Sequence, residues 1–279
     1  MAFVARKTRE RRAPMPVGRG KPIVPNAAIE AWYRQQMNAM AKAMIADYRK
    51  ELGSVMASPS VRKFYGKDES PSSAFTRTLN SLRQRWRSMF EGFAIKLAPE
   101  FTGKVDAAAT SSTLNSLSVA GLDQPRATYN ESIQNTLKAA TEFNHTLITN
   151  ISQEVHEKIY SAIMLSLTSP NPEEQGTAGI TNALRDVGEF SEKRIKLIAK
   201  DQTSKLYSSV SDERMGQNGV EEFEWMHSSA GKVPRHTHVE KNGQIFKLND
   251  PRLWQGPKAD QGPPGWAINC RCRKIPVIR

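Results

Sequence analysis

The sequence predicts an α+β protein: a helical N-terminal two-thirds that includes one long helix, followed by a small mixed C-terminal domain with short strands. Three observations predict it. Apolar residues recur at three- and four-residue steps from Asn26 to the segment before Gly219. After Gly219 the period switches to two. With 38% apolar residues among 279, the chain can bury a real core, yet it lacks the ~18-residue uncharged apolar run of a membrane helix. The basic N-terminus precedes no apolar stretch, so no secretory signal is expected.

The elements follow in order. Residues 1–25, rich in proline and basic side chains, read as a disordered or extended arm. A first helix begins after Asn26, a suitable N-cap. It carries Ile29, Trp32, Tyr33, Met37, Met40, Met44 and Tyr48 as a stripe and is expected to stop at Gly53 and Pro59. A second presents Phe75, Leu79, Leu82, Trp86, Phe90 and Phe93, with Arg83, Arg85 and Arg87 elsewhere, and should end at Pro99. A short helix is expected before Gly121. Then comes the longest stripe: Tyr129, Ile133, Leu137, Ala140, Asn144, Leu147, Ile151, Val155, Ile159 and Ala162. A helix of about 40 residues would span roughly 60 Å, a length that suits a bundle or an assembly. His145 and His156 lie on it too far apart to share one metal and read as ordinary helix residues.

The helical domain is thus bounded at 26–168. Residues 169–190 read as a linker with a short helix, and the domain from 191 to 279 as a separate α+β unit opening on a helix capped by Ser191. Its first strand places Phe223, Trp225 and His227 on one face. Asn242-Gly243 signals a tight turn before Ile245 and Phe246. The closing "RKIPVIR" reads as an edge strand, since Pro276 cannot donate to a central ladder.

Charge is concentrated at the two ends. The net charge is +12; residues 1–21 hold seven Lys/Arg and one acid, and residues 191–279 hold 16 basic and 10 acidic residues, so each end carries +6. The middle holds 17 of each sign. Ends of this kind suit phosphate, and a neutral middle suits packing. Arg6, Lys7, Arg9, Arg11 and Arg12 are the candidate contacts to DNA or to an acidic partner; a solvated tail is the plainer reading.

Cys270 and Cys272, the two cysteines, are one residue apart in "NCRC". A disulfide at that spacing would be strained, so they read as reduced thiols or metal ligands. In an extended segment residues two apart share a face. Cys270 with Cys272 and His236 with His238, on adjacent strands, would make an N2S2 set that favours a structural Zn²⁺. The alternative is a pair of small core thiols. A catalytic use would need His236 or His238 as base and Cys270 as nucleophile. No carboxylate is placed to orient either histidine, and no phosphate loop or paired-acid motif accompanies them, so no enzyme is expected.

From about residue 190 to 275, the order Ala199-Lys200-Asp201-Gln202, Gly219, Trp225, Arg235, His238, Asn242-Gly243, Phe246, Pro264-Gly265 and Cys270-Arg271-Cys272 resembles the phage Mu protein F-like minor head proteins, also called head morphogenesis proteins. The turn "SSAGKVP" lacks the acid usual in that family. Arg235-His236-Thr237-His238 stands where some members have Cys-x-x-Cys, and Ala267 where some have a histidine. Trp225, Arg235, His238, Gly243, Phe246, Cys270 and Cys272 would hold the domain together. The resemblance implies a low-copy structural component of a tailed phage, in the capsid interior or at the portal vertex, and in the host cytoplasm during assembly. Its partners would be the portal protein, the major capsid or scaffold protein and packaged double-stranded DNA, with no membrane. A role in head assembly and in DNA packaging or ejection goes with it. Two other classes stay open on sequence: a free DNA-binding protein outside any particle, and a toxin-like effector enzyme.

Overall fold

The computed structural model describes residues 18–58, 71–168, 176–229 and 233–279. The described residues form four long helices, α1 (Ala27–Ala57), α2 (Pro71–Val119), α3 (Glu131–Thr168) and α4 (Gly176–Gln217), and a four-stranded antiparallel sheet. The sheet is made of β1 (Gly18–Arg19), β2 (Glu222–Met226), β3 (Ile245–Lys247) and β4 (Arg273–Ile278), in the order β1-β4-β2-β3. A short helix, α5 (His236–Glu240), lies between β2 and β3. The α+β class is therefore observed. Among the described residues no helix is long and apolar enough to cross a membrane.

Helix α1 begins as its sequence dictates: Asn26 Oδ1 accepts from the Ala28 N–H at 2.9 Å. Tyr33, Met37, Ala41, Met44, Tyr48 and Leu52 form its buried stripe. The helix passes through Gly53 and ends at Ala57. Burial of Leu52 offsets the ~1 kcal/mol that glycine costs in a helix.

Helix α2 corrects a second expected stop. It runs through Pro99 to Val119 and absorbs the short helix expected before Gly121. The amide that proline lacks would have served the carbonyl of Ile95, an exposed residue whose carbonyl water can reach. Phe101, Val105 and Ala109, buried beyond the proline, hold the helix on course.

Helix α3 buries Ile133, Asn144, Ile148, Ile151, Val155, Ile159 and Ile163, close to the predicted stripe. Two of its buried polar residues, Asn144 and His156, are partnered across the bundle. Tyr33 Oη donates to Asn144 Oδ1 at 2.9 Å, and Tyr48 Oη meets His156 Nδ1 at 2.9 Å. Tyr129 lies ahead of the helix, and its hydroxyl donates to Asp106. His145 pairs with Glu91 at 3.0 Å.

Helix α4 is continuous from Gly176 to Gln217, through the short helix and the Ser191 cap that were expected as separate features; residues 169–175 of the expected linker lie outside the described residues. Ile180, Leu184, Val187, Ser191, Ile195 and Ile198 form one buried row, so the apolar register never breaks. Ser191 sits inside that row and its Oγ donates to the Gly188 carbonyl at 2.8 Å. The helix ends at Gly219, with φ +70°, as its sequence predicts. Near that end Arg214 is fully buried. It bonds the Asp106 carboxylate at 3.2 Å, Thr110 Oγ1 at 2.9 Å and the Thr128 carbonyl at 2.7 Å, tying α4 to α2 and to the approach to α3.

Strand β4 lies in the middle of the sheet, not at its edge. Residues 273, 275 and 277 alternate with Pro276 along its ladder to β2. The Pro276 carbonyl accepts from the Gly20 N–H at 2.9 Å, so the absent amide also faces the β1 side, and the β2 ladder loses nothing. Residues 18–23 flank β4 on that side: Arg19 pairs with Val277, and the Ile23 N–H reaches the Lys274 carbonyl at 2.9 Å. Lys274, buried, meets Asp212 and Ser208 of α4 and pins the sheet to the bundle.

Candidate metal centre

The extended segment before β4 and the short helix α5 bring three potential ligands together. Asn269, with φ +60°, closes a turn in which the Cys270 N–H donates to the Ala267 carbonyl at 2.8 Å. Cys270 and Cys272 then project to one side, as their spacing predicts, and both are buried and unbridged. His238 is buried opposite them. Its Nδ1 lies 3.5 Å from Cys270 Sγ and 3.6 Å from Cys272 Sγ. The three donor atoms all lie within 4.8 Å of one another.

The surroundings fix the state of these groups. His238 Nε2 is 3.0 Å from the Asp260 carbonyl, which can only accept, so Nε2 carries the proton and Nδ1 offers its lone pair to the sulfurs. A carbonyl behind a ligating imidazole is the usual way of orienting it. The Gly265 N–H donates to Cys270 Sγ at 3.4 Å. The Cys270 thiol is pushed down by its hydrogen bond with Cys272 and, against the effect of burial, by the Gly265 N–H. Cys272 is pushed up by the same bond with Cys270 and by burial. The pair thus loses its first proton more readily than its second. The buried Trp225 N–H acts in the opposite sense on Cys272, favouring its thiolate. Two thiolates and one imidazole in a buried, N–H-lined pocket are the donor set Zn²⁺ takes.

Asp260 holds the helix that carries the histidine. Its carboxylate receives Arg235 Nε at 2.7 Å and Thr237 Oγ1 at 2.8 Å. Arg235 also donates to the Ile268 carbonyl at 2.8 Å, linking α5 to the cysteine turn. Asp260 closes a three-residue 3-10 turn in a stretch of sequence with no periodicity, so nothing in the sequence marks it. Its carboxylate faces Arg235 and Thr237 while its backbone faces His238, so it does not form a Cys-His-carboxylate relay.

His236 does not join the group. The expectation that it shares a face with His238 assumed a strand. On α5, residues two apart point about 200° from each other, and the His236 side chain is 95% exposed, 3.4 Å from Glu240. The other motif residues surround the centre. The Trp225 ring stands edge-on to His238 at 5.1 Å, and Phe246 packs beneath it at 6.0 Å. Gly243, with φ +76°, gives its N–H to the Trp225 carbonyl at 2.7 Å. Arg6, Lys7, Arg9, Arg11 and Arg12 lie outside the described residues.

Comparison with known proteins covers the same segment. Residues 173–275, which contain α4, the sheet segments β2 and β3 and all three ligands, match the family described as phage Mu protein F like protein. A Haemophilus influenzae protein described as uncharacterized is 29% identical over 262 residues, covering 92% of this chain and 55% of the relative. The chain therefore spans about half the length of the relative it matches. No solved structure gives a significant match. The likeness to the phage Mu protein F like family is thus a likeness of the segment 173–275.

Proposed function

We propose that this chain is a minor head protein of a tailed phage, held at or near the portal inside the head, where it assists procapsid assembly and DNA packaging or ejection. The family match over residues 173–275 carries the reading. The fold supports it physically. Four helices of 31, 49, 38 and 42 residues give the molecule reach, since 49 residues extend about 74 Å.

In this reading Zn²⁺ is held by His238, Cys270 and Cys272 and acts as a clip for a domain whose strands are only two to six residues long. A bound Zn²⁺ would supply folding energy there, and the chain's own part is to present two thiolates and an oriented imidazole. The N-terminal arm, through Arg6, Lys7, Arg9, Arg11 and Arg12, meets packaged DNA, and the portal and the capsid or scaffold protein are the protein partners. The reading assigns the chain no reaction. The test is co-expression with the portal protein of the same phage, followed by size-exclusion chromatography. The reading expects one complex containing both. Separate elution at micromolar concentration would remove the portal assignment.

A further inference from the structure

Three ligands leave a tetrahedral ion one position short. The cluster borders a cleft of about 590 Å³ that is also lined by His227, Arg235 and Arg271. The sequence places His227 on the inward face of β2 with Phe223 and Trp225, but the strand itself ends at Met226. Register puts His227 beside the ligands all the same. Met226 pairs with Arg273 in the antiparallel ladder, so the next position along sets His227 opposite Cys272. Directly opposed residues share a face, with Cβ atoms about 5 Å apart.

The state of the ring fits a ligand. The Ser229 N–H donates to His227 Nδ1 at 3.2 Å, so Nδ1 holds the lone pair. The bond is long and comes from an exposed turn. Meanwhile the His227 backbone is fixed, because its N–H donates to Asn242 Oδ1 at 2.8 Å. The side chain can therefore exchange partners while its backbone stays in place. Its nitrogens lie outside the 4.8 Å group of three, so coordination takes a side-chain rotation on metal binding.

We propose that His227 is the fourth ligand of this centre, giving with His238, Cys270 and Cys272 a closed Cys2His2 site for Zn²⁺. The inference rests on the metal reading of those three residues. It replaces the exposed His236 by a histidine on the cleft. It also implies a centre with no coordination position left for substrate.

The experiment is a Co²⁺ titration of the purified full-length chain, followed by Zn²⁺ displacement. Wild type, His227→Ala, His227→Cys and His236→Ala are compared by absorption spectroscopy, and their metal-free melting temperatures are recorded. The proposal expects one Co²⁺ per wild-type chain, with intense tetrahedral bands and thiolate charge transfer. His227→Ala should bind at least ~10-fold more weakly with altered bands, and His227→Cys should gain charge-transfer intensity from a third sulfur. His236→Ala should match wild type. Unchanged affinity and spectrum in both His227 variants would overturn the fourth ligand and leave the three-residue centre standing. No Co²⁺ or Zn²⁺ binding by wild type would overturn the metal reading and this inference with it.

Discussion

Cys270 receives a backbone N–H, faces an imidazole lone pair and shares its proton with Cys272. Each feature favours a thiolate beside a cation, so metal should be worth most at this residue. A ligand that binds the native state at 100 to 1,000 times its Kd stabilises by ~3–4 kcal/mol. Chelation by EDTA should therefore lower the Tm of wild type by several degrees and leave Cys270→Ser unmoved. Equal shifts in both, read by differential scanning calorimetry, would contradict the clip. Much of this site is legible in sequence, because Cys-x-Cys before a strand must present both sulfurs to one side. His236 misleads for the same reason: residues two apart share a face in extended chain, but His236 and His238 lie on α5. Asp260 leaves no trace in the sequence, since it acts on His238 through a backbone carbonyl, which any residue could supply.

At the scale of elements, tertiary packing overrides three local stop signals. Pro99, Gly53 and Ser191 each mark a helix end when read alone, and each lies within a helix whose buried row continues past it. Pro276 is harmless in a central strand because its missing amide faces the β1 side. The two-residue β1 is invisible in a Pro- and Gly-rich stretch, since only its partner defines it. Its docking is nonetheless close. A Cβ on Gly18 would sit 1.7 Å from the Ala120 carbonyl oxygen, a backbone atom that cannot give way. Gly18→Ala should cost ~1–3 kcal/mol of stability in urea denaturation and speed hydrogen exchange at Gly20. Wild-type stability and exchange in the variant would show that β1 is not held there.

Across the whole molecule, the N-terminal charge divides at residue 18. Arg19 is bound bidentately to Glu224 at 2.6 and 2.7 Å, so it is committed to the sheet. The candidate DNA contacts are the five cations within residues 1–17, and deleting that segment keeps β1. The truncation should flatten the dependence of log Kobs on log salt for duplex DNA by up to ~4 with Tm unchanged. An unchanged slope would remove the arm from DNA binding. Sequence shows the charge asymmetry and the long helices, but not where the arm stops and the sheet begins, because that boundary is set by pairing with residues 274–278. The central claim is that the chain is a low-copy part of the head. Quantitative mass spectrometry of purified procapsids and virions, counting this chain against the portal subunit, tests it most directly. The account predicts its presence in both particles at or below the copy number of the portal. Absence from both would contradict it.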